Sequence, residues 1–155
     1  MFLSNQLFAY GTLMFSEVWI HLIGRECSRI EAELHNHSAF RVNGHTFPGL
    51  RETKDNNCVK GILYSGIIKK DWDILDDFEG DFYERVPVKV YSEKNIIHLA
   101  YTYIVKPQNY GKLSGELWDA NWFKKICLVN IWIVYADSCN KFHPSHHLHI
   151  FPPSI

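Results

Sequence analysis

The chain has 155 residues, of which 46% are hydrophobic and 15% aromatic, enough to fill the core of one domain. A formal net charge of -1 lacks the basic field of a nucleic-acid binder and the polybasic face of a membrane-surface protein. Cys27, Cys58, Cys127 and Cys139 contain no C-x-x-C pair, so neither a zinc motif nor a thioredoxin-type motif is indicated.

The opening Met1-Phe2-Leu3-Ser4 has no basic region and no long apolar run. A secretory leader is therefore not expected, and a reducing, cytoplasmic location is. Gln6 to Tyr10 reads as a short buried strand stopped by Gly11. Leu13 to Gly24 reads as a helix, with Val18, His21 and Leu22 near one stripe, Phe15 beside it and Gly24 as its stop. Arg29 to Val42 is more polar and carries a strand-like Ala39-Phe40-Arg41-Val42. Asn43-Gly44 marks a hairpin turn, and Phe47-Pro48-Gly49-Leu50 a second turn. Asp55-Asn56-Asn57 is a loop, followed by a strand from Cys58 to Tyr64. Ile68 to Glu79 is an amphipathic helix closed by Gly80. Tyr83 to Tyr91 and Ile96 to Val105 are strands rich in β-branched and aromatic residues, and Leu117 to Lys125 is a short helix.

Short turns between neighbouring strands favour antiparallel pairing. The fold class expected is α+β, with a sheet able to curl into a mixed β-barrel flanked by short helices. Residues 1–125 form the expected domain and 126–155 a divergent C-terminal segment. Ile126 to Tyr135 is apolar but contains Asn130 and falls well short of the roughly 20 residues of a membrane-spanning helix. From Cys139 onward the chain is rich in His, Pro and Ser, and this tail is expected to be poorly ordered. His143, His146, His147 and His149 have no carboxylate or cysteine completing a site, so no functional metal is expected there.

The helix ending at Glu79 carries an anomaly. At about 100° per residue, Ile68, Trp72, Leu75 and Glu79 fall on one stripe, with Phe78 beside them. Asp73 and Asp77 point the other way, and Asp71 suits the N-terminal turn as a cap or dipole partner. An unpaired charge on the apolar stripe is costly, and a helix C-terminus disfavours a negative one. Such a position suits a proton-transfer group. The other reading has Glu79 turning outward beside Gly80 to pair with Arg85. The Tyr10-Gly11-Thr12-Leu13 segment is similarly open: an ordinary strand–helix turn, or a concavity of backbone N–H groups for an anionic or carbonyl oxygen.

Phe8-Ala9-Tyr10-Gly11-Thr12-Leu13-Met14 and Phe47-Pro48-Gly49-Leu50 are followed by Val59-Lys60-Gly61-Ile62-Leu63-Tyr64. Then come Leu75-Asp76-Asp77-Phe78-Glu79-Gly80-Asp81-Phe82-Tyr83-Glu84-Arg85, Val86-Pro87-Val88-Lys89-Val90 and Ala100-Tyr101-Thr102-Tyr103. In this order the segments resemble the γ-glutamylcyclotransferase-like family, and within it the plant avirulence-induced branch. The resemblance covers roughly Leu7 to Trp122. It implies a mixed-strand barrel and a reaction in which a γ-glutamyl amide cyclises to 5-oxoproline, releasing an amine or amino acid. It assigns the general acid/base role to Glu79 and substrate binding to the loop of Tyr10, Gly11, Thr12, Leu13, Met14 and Phe15. Tyr83, Arg85 and Tyr101 are pocket candidates, each with a packing or ion-pairing alternative. The expected partner is a small γ-glutamyl molecule, and no metal or cofactor is required. Beyond Trp122 the likeness fades, which leaves a second reading: a non-catalytic module that binds a small ligand or a protein on the same fold.

Overall fold

Short apolar runs separated by tight turns set the strands. In the computed structural model the described residues are 3–127, with side chains described over 3–125. The run from Ile126 to Tyr135 and the His/Pro tail thus lie outside the described residues, apart from the backbone of Ile126 and Cys127. The strands are β1 (Gln6–Ala9), β2 (Ser28–His35), β3 (His37–Val42), β4 (Pro48–Glu52), β5 (Cys58–Ser65), β6 (Tyr83–Ser92), β7 (Ile96–Val105) and β8 (Leu113–Leu117). The helices are α1 (Ser16–Ile23), α2 (Lys69–Glu79) and α3 (Ala120–Cys127). None of the described helices is long and apolar enough to cross a membrane.

Five strands close into a barrel in the order β1-β5-β2-β6-β7, and β4-β3-β8 form a separate small sheet. Three barrel ladders are continuous, the shortest being β1 with β5 from Gln6↔Ser65 to Ala9↔Ile62. β2 and β5 pair antiparallel from Ser28↔Ser65 to His35↔Cys58, and β6 and β7 pair from Tyr83↔Val105 to Ser92↔Ile96. The ring is completed by a parallel contact of β1 with β7 at Leu7↔Tyr101. Side-chain hydroxyls stitch this seam. Ser4 Oγ donates to the Leu99 carbonyl at 2.7 Å, Thr102 Oγ1 to Phe8 at 2.8 Å and Tyr10 Oη to Tyr103 at 2.7 Å.

The apolar run in β1 is continuous because both faces are covered. Phe8 and Tyr10 pack with Ala32, Leu34, Leu63, Val90 and Ala100. Leu7 and Ala9 pack on the other side with Trp19 of α1, Leu75 and Phe78 of α2, and Tyr103. Alternation in β2 places Ala32 and Leu34 inward and leaves its other face to solvent, which is why a polar stretch is nonetheless a strand.

Besides the unexpected β2 and β8, the structure departs from the expected elements in four places. The helix expected over Leu13 to Gly24 is a 3-10 turn, Thr12–Met14, followed by α1. Phe15 separates them in an extended conformation, its ring stacked on Phe123 at 5.3 Å. The buried stripe of α1 is Val18, Trp19 and Ile23, while His21 is exposed. Pro48 to Leu50 are strand rather than turn: Pro48 opens β4 opposite Arg41, at a strand start where its missing N–H is tolerated. The helix expected from Leu117 begins later, because β8 runs through Leu117. Asp119 then caps α3, Oδ1 accepting from the N–H groups of Asn121 at 2.7 Å and Trp122 at 3.0 Å.

Helix α2 matches its expected span except at Ile68. Its N-terminus is fixed by Asp71, whose carboxylate accepts the Ile68 N–H at 3.0 Å and pairs with Arg25. Ile68 lies outside the helix as its N-cap and is exposed, so the buried stripe begins one turn later. The helix stops at Gly80, whose φ of 66° with ψ of −163° is open to glycine and strongly disfavoured for other residues.

Candidate active site

Glu79 is the last residue of α2 and is only 7% exposed. It lies in the wall of a small cavity whose lining also includes Tyr10, Gly11, Thr12 and Leu13, together with Pro48, Tyr83 and Tyr103. The carboxylate singled out by helical periodicity and the glycine-containing loop thus share one cavity. The outward-turned alternative for Glu79 is not adopted. The enclosed space is about 20 Å³, room for roughly one water molecule.

The loop is held by its carbonyls. Leu13 O accepts from Tyr64 Oη at 2.7 Å, Met14 O from Arg29 Nη2 at 2.7 Å, and Gly11 O from the Met14 N–H at 3.0 Å. Tyr64 is itself fixed by stacking on Trp19, with ring centroids 3.8 Å apart and planes 9° apart. Gly11 has φ −121°, so no left-handed backbone calls for glycine. The requirement is space: a Cβ would stand 2.8 Å from Pro48 Cγ.

Two tyrosines face the carboxylate as neutral groups. Burial foremost, and then the nearby negative charge of Glu79, raises the Tyr10 phenol well above its ordinary pKa, while a hydrogen bond from the Leu50 backbone acts in the opposite direction. Tyr103 is also raised, by burial first and then by its hydrogen bond to Asp76, with the Glu79 charge adding to the effect. Its hydroxyl donates to Asp76 Oδ1 at 2.7 Å. Tyr83 Oη donates to the Pro48 carbonyl at 2.6 Å. That bond ties the strand after Glu79 to the segment packed on Gly11.

The other candidates fall elsewhere. Met14 and Phe15 are not among the cavity's lining residues; Met14 supplies the carbonyl for Arg29, and Phe15 packs on Phe123. Arg85 and Tyr101 are likewise absent from the lining. Arg85 Nε is 3.2 Å from Asp76 Oδ1, and its guanidinium lies over Trp72 and Tyr101 at 4.5 and 5.1 Å. Tyr101 meets Trp72 edge to face at 5.4 Å. Sequence reasoning missed Tyr103, Phe47 and Pro48 as lining residues. Tyr101 and Tyr103 project from the same face of β7 two residues apart, so the alternation signal that marks one marks both. Only the position of α2 distinguishes them.

Comparison with known proteins places this geometry in context. Protein AIG2 C of Arabidopsis thaliana is 28% identical over 121 residues, covering 74% of this chain and 72% of the relative. AIG2-like protein C of the same plant is 32% identical over 117 residues, covering 73% of this chain and 65% of the relative. Among solved structures, an Arabidopsis thaliana protein aligns with TM-score 0.66 and 23% identity, covering 84% of this chain and 87% of its own. A gamma-glutamyl cyclotransferase aligns with TM-score 0.57 and 20% identity, covering 67% and 68% of the two chains. The structural matches establish a shared fold. The sequence pattern described as gamma-glutamyl cyclotransferase, AIG2-like, matches residues 7–122, and the chain belongs to that family.

Proposed function

We propose that the protein is a γ-glutamylcyclotransferase. The observation that carries this reading is the placement of the Glu79 carboxylate and the Tyr10–Leu13 loop in the walls of one cavity. In a γ-glutamyl amide the α-nitrogen can reach its own γ-carbonyl carbon and close a five-membered ring. The attack is intramolecular, so holding the curled conformer supplies much of the acceleration. The α-ammonium first loses a proton to become nucleophilic. Its nitrogen then bonds to the γ-carbon, giving a tetrahedral oxyanion. As the original amide C–N bond breaks, the attacking nitrogen loses a second proton. Glu79 takes a proton from the attacking side and delivers one to the leaving nitrogen, and solvent balances the other. The products are 5-oxoproline and an amine or amino acid. In this reading the N–H groups of the Tyr10–Leu13 loop stabilise the oxyanion, while Tyr10 and Tyr103 remain protonated beside the carboxylate. None of these steps calls on a metal or cofactor.

The test is incubation of the purified full chain with a panel of γ-glutamyl peptides and γ-glutamylamines, scored for 5-oxoproline. Turnover by the native chain that Glu79→Gln abolishes is the expected result. Turnover that survives Glu79→Gln removes the assigned mechanism. Free glutamate or a transferred γ-glutamyl group in place of 5-oxoproline redirects it to hydrolysis or transfer. The narrowness of the cavity favours one second reading, a non-catalytic small-ligand module. That reading expects saturable binding of a panel member with no product.

A further inference from the structure

The solvent-facing side of the β2–β5 ladder carries a second set of reactive groups, away from the cavity. Glu33 and His35 are two residues apart on β2 and project from one face. Cys58 on β5 is directly opposite His35 in the antiparallel register. A carboxylate oxygen of Glu33, a ring nitrogen of His35 and the sulfur of Cys58 all lie within 4.8 Å of one another. His35 Nε2 is 3.7 Å from Glu33 Oε2. The imidazole is oriented from behind by stacking on Tyr91, with centroids 4.4 Å apart and planes 9° apart. None of the three residues lines the cavity that holds Glu79.

We infer that Glu33, His35 and Cys58 form a surface binding site for a zinc-class divalent cation. Glu33 Oε2, His35 Nε2 and Cys58 Sγ supply three ligands, and solvent takes the fourth position. Tetrahedral zinc holds nitrogen and oxygen at about 2.0–2.2 Å and sulfur at about 2.3 Å, so its donors stand roughly 3.3–3.8 Å apart. The Glu33–His35 separation already matches. Sulfur must close by about 1 Å or less, which side-chain rotation on an exposed strand face permits. A thiolate beside an imidazole selects zinc over magnesium or calcium, which prefer all-oxygen sites. Coordination replaces the thiol proton, which passes to solvent. Burial and the adjacent Glu33 both hold Cys58 in the protonated form, while Lys60 favours the thiolate. Lys60 is opposite Glu33 in the ladder and shares its face. Spacing along the chain hides this site, because its ligands come from two strands brought together by register.

The test uses the full chain stripped of metal by a chelator, then titrated with Zn²⁺ by calorimetry and with Co²⁺ by absorption. The tail histidines are themselves imidazole donors, so a variant with His143, His146, His147 and His149 all changed to Ala is titrated alongside. We expect this variant to keep one site per chain, with a thiolate-to-cobalt charge-transfer band. Removing an outer partner of a metal ligand typically costs 10–100-fold in affinity, so His35→Ala and Cys58→Ser should each weaken binding by more than about 100-fold. Cys58→Ser should erase the thiolate band and Cys27→Ser should leave it. His35→Ala, at an exposed position, provides the measurement if Cys58→Ser does not fold. Loss of binding in the tail variant, or a thiolate band that persists in Cys58→Ser, overturns the assignment.

Discussion

Gly11 lies against the ring of Pro48, so close that a Cβ on Gly11 would stand 2.8 Å from Pro48 Cγ and 3.0 Å from Cδ. The same Pro48 accepts the Tyr83 hydroxyl through its carbonyl at 2.6 Å. One proline therefore links the loop after β1 to the strand that follows Glu79, although the three residues are far apart in the sequence.

Gly11→Ala should force Pro48 and the loop apart. Overpacking of this kind costs about 1–3 kcal/mol. A lowered urea midpoint, together with a larger loss of turnover than the stability change explains, is expected. Native stability in Gly11→Ala would show that the loop yields freely and that the close approach is not required.

Glu79→Gln keeps the size of the side chain and removes its proton-accepting oxygen. A positioned acid/base typically contributes 10²–10⁴-fold, so kcat should fall by about that factor with a KM close to native. Circular dichroism should be unchanged. A fall confined to KM would place Glu79 in binding rather than proton transfer.

Gly80→Ala asks an L side chain to adopt φ 66° at the end of α2. Backbone strain of this kind costs about 1–3 kcal/mol, or is relieved by a shift of the helix end that carries Glu79. Thermal melting should report the first outcome and turnover the second. A variant unchanged in both would remove Gly80 from the set of residues that position the carboxylate.

Stability should decline in alkali. Burial foremost pushes the Tyr64 phenol from 10.0 up to about 12, and Tyr10 and Tyr103 are raised in the same direction, also chiefly by burial. In each case the folded state holds its proton more tightly than the unfolded chain. The stabilisation is complete below the unfolded value near 10 and is lost as pH rises towards the folded value. Urea midpoints at about pH 8 and about pH 11 should therefore differ, the higher pH giving the lower midpoint. Tyr64→Phe should lessen that difference. It should also lose roughly 1 kcal/mol at neutral pH, because Leu13 O gives up its donor.

The elements legible in the sequence are those with one dominant signal. Helix α2 has a sharp apolar stripe and a glycine stop. β5, β6 and β7 are dense in β-branched and aromatic residues. Glu79 stood out because a charge broke the stripe. The elements missed lack such a signal or carry a conflicting one. β2 is polar on its outer face, so its alternation is faint. Pro48-Gly49 reads as a turn, but a proline at the first position of a strand leaves the ladder intact. The break at Phe15 depends on Phe123, a contact no local pattern encodes. Tyr103 could not be told from Tyr101 for the same reason: its partner Asp76 and its cavity neighbour Glu79 come from α2.

The hydroxyl-stitched seam between β1 and β7 bears on how the barrel exchanges its amide hydrogens. β6–β7 and β2–β5 are continuous ladders, whereas β1 meets β7 at Leu7↔Tyr101 and β2 meets β6 at Glu33↔Tyr91. The ring is thus two stiff plates joined along two thin lines. Tyr10–Leu13 belong to one plate, and Tyr83 and Tyr103 to the other, with Glu79 one short turn before Tyr83. A small rotation about the seam changes the gap between loop and carboxylate while both long ladders stay intact, and it loads the Leu7↔Tyr101 and Glu33↔Tyr91 pairs together with the bonds from Ser4, Thr102 and Tyr10. Amides along the seam should therefore exchange faster than those inside either ladder, and the three hydroxyls set how stiffly the two halves of the cavity are held together.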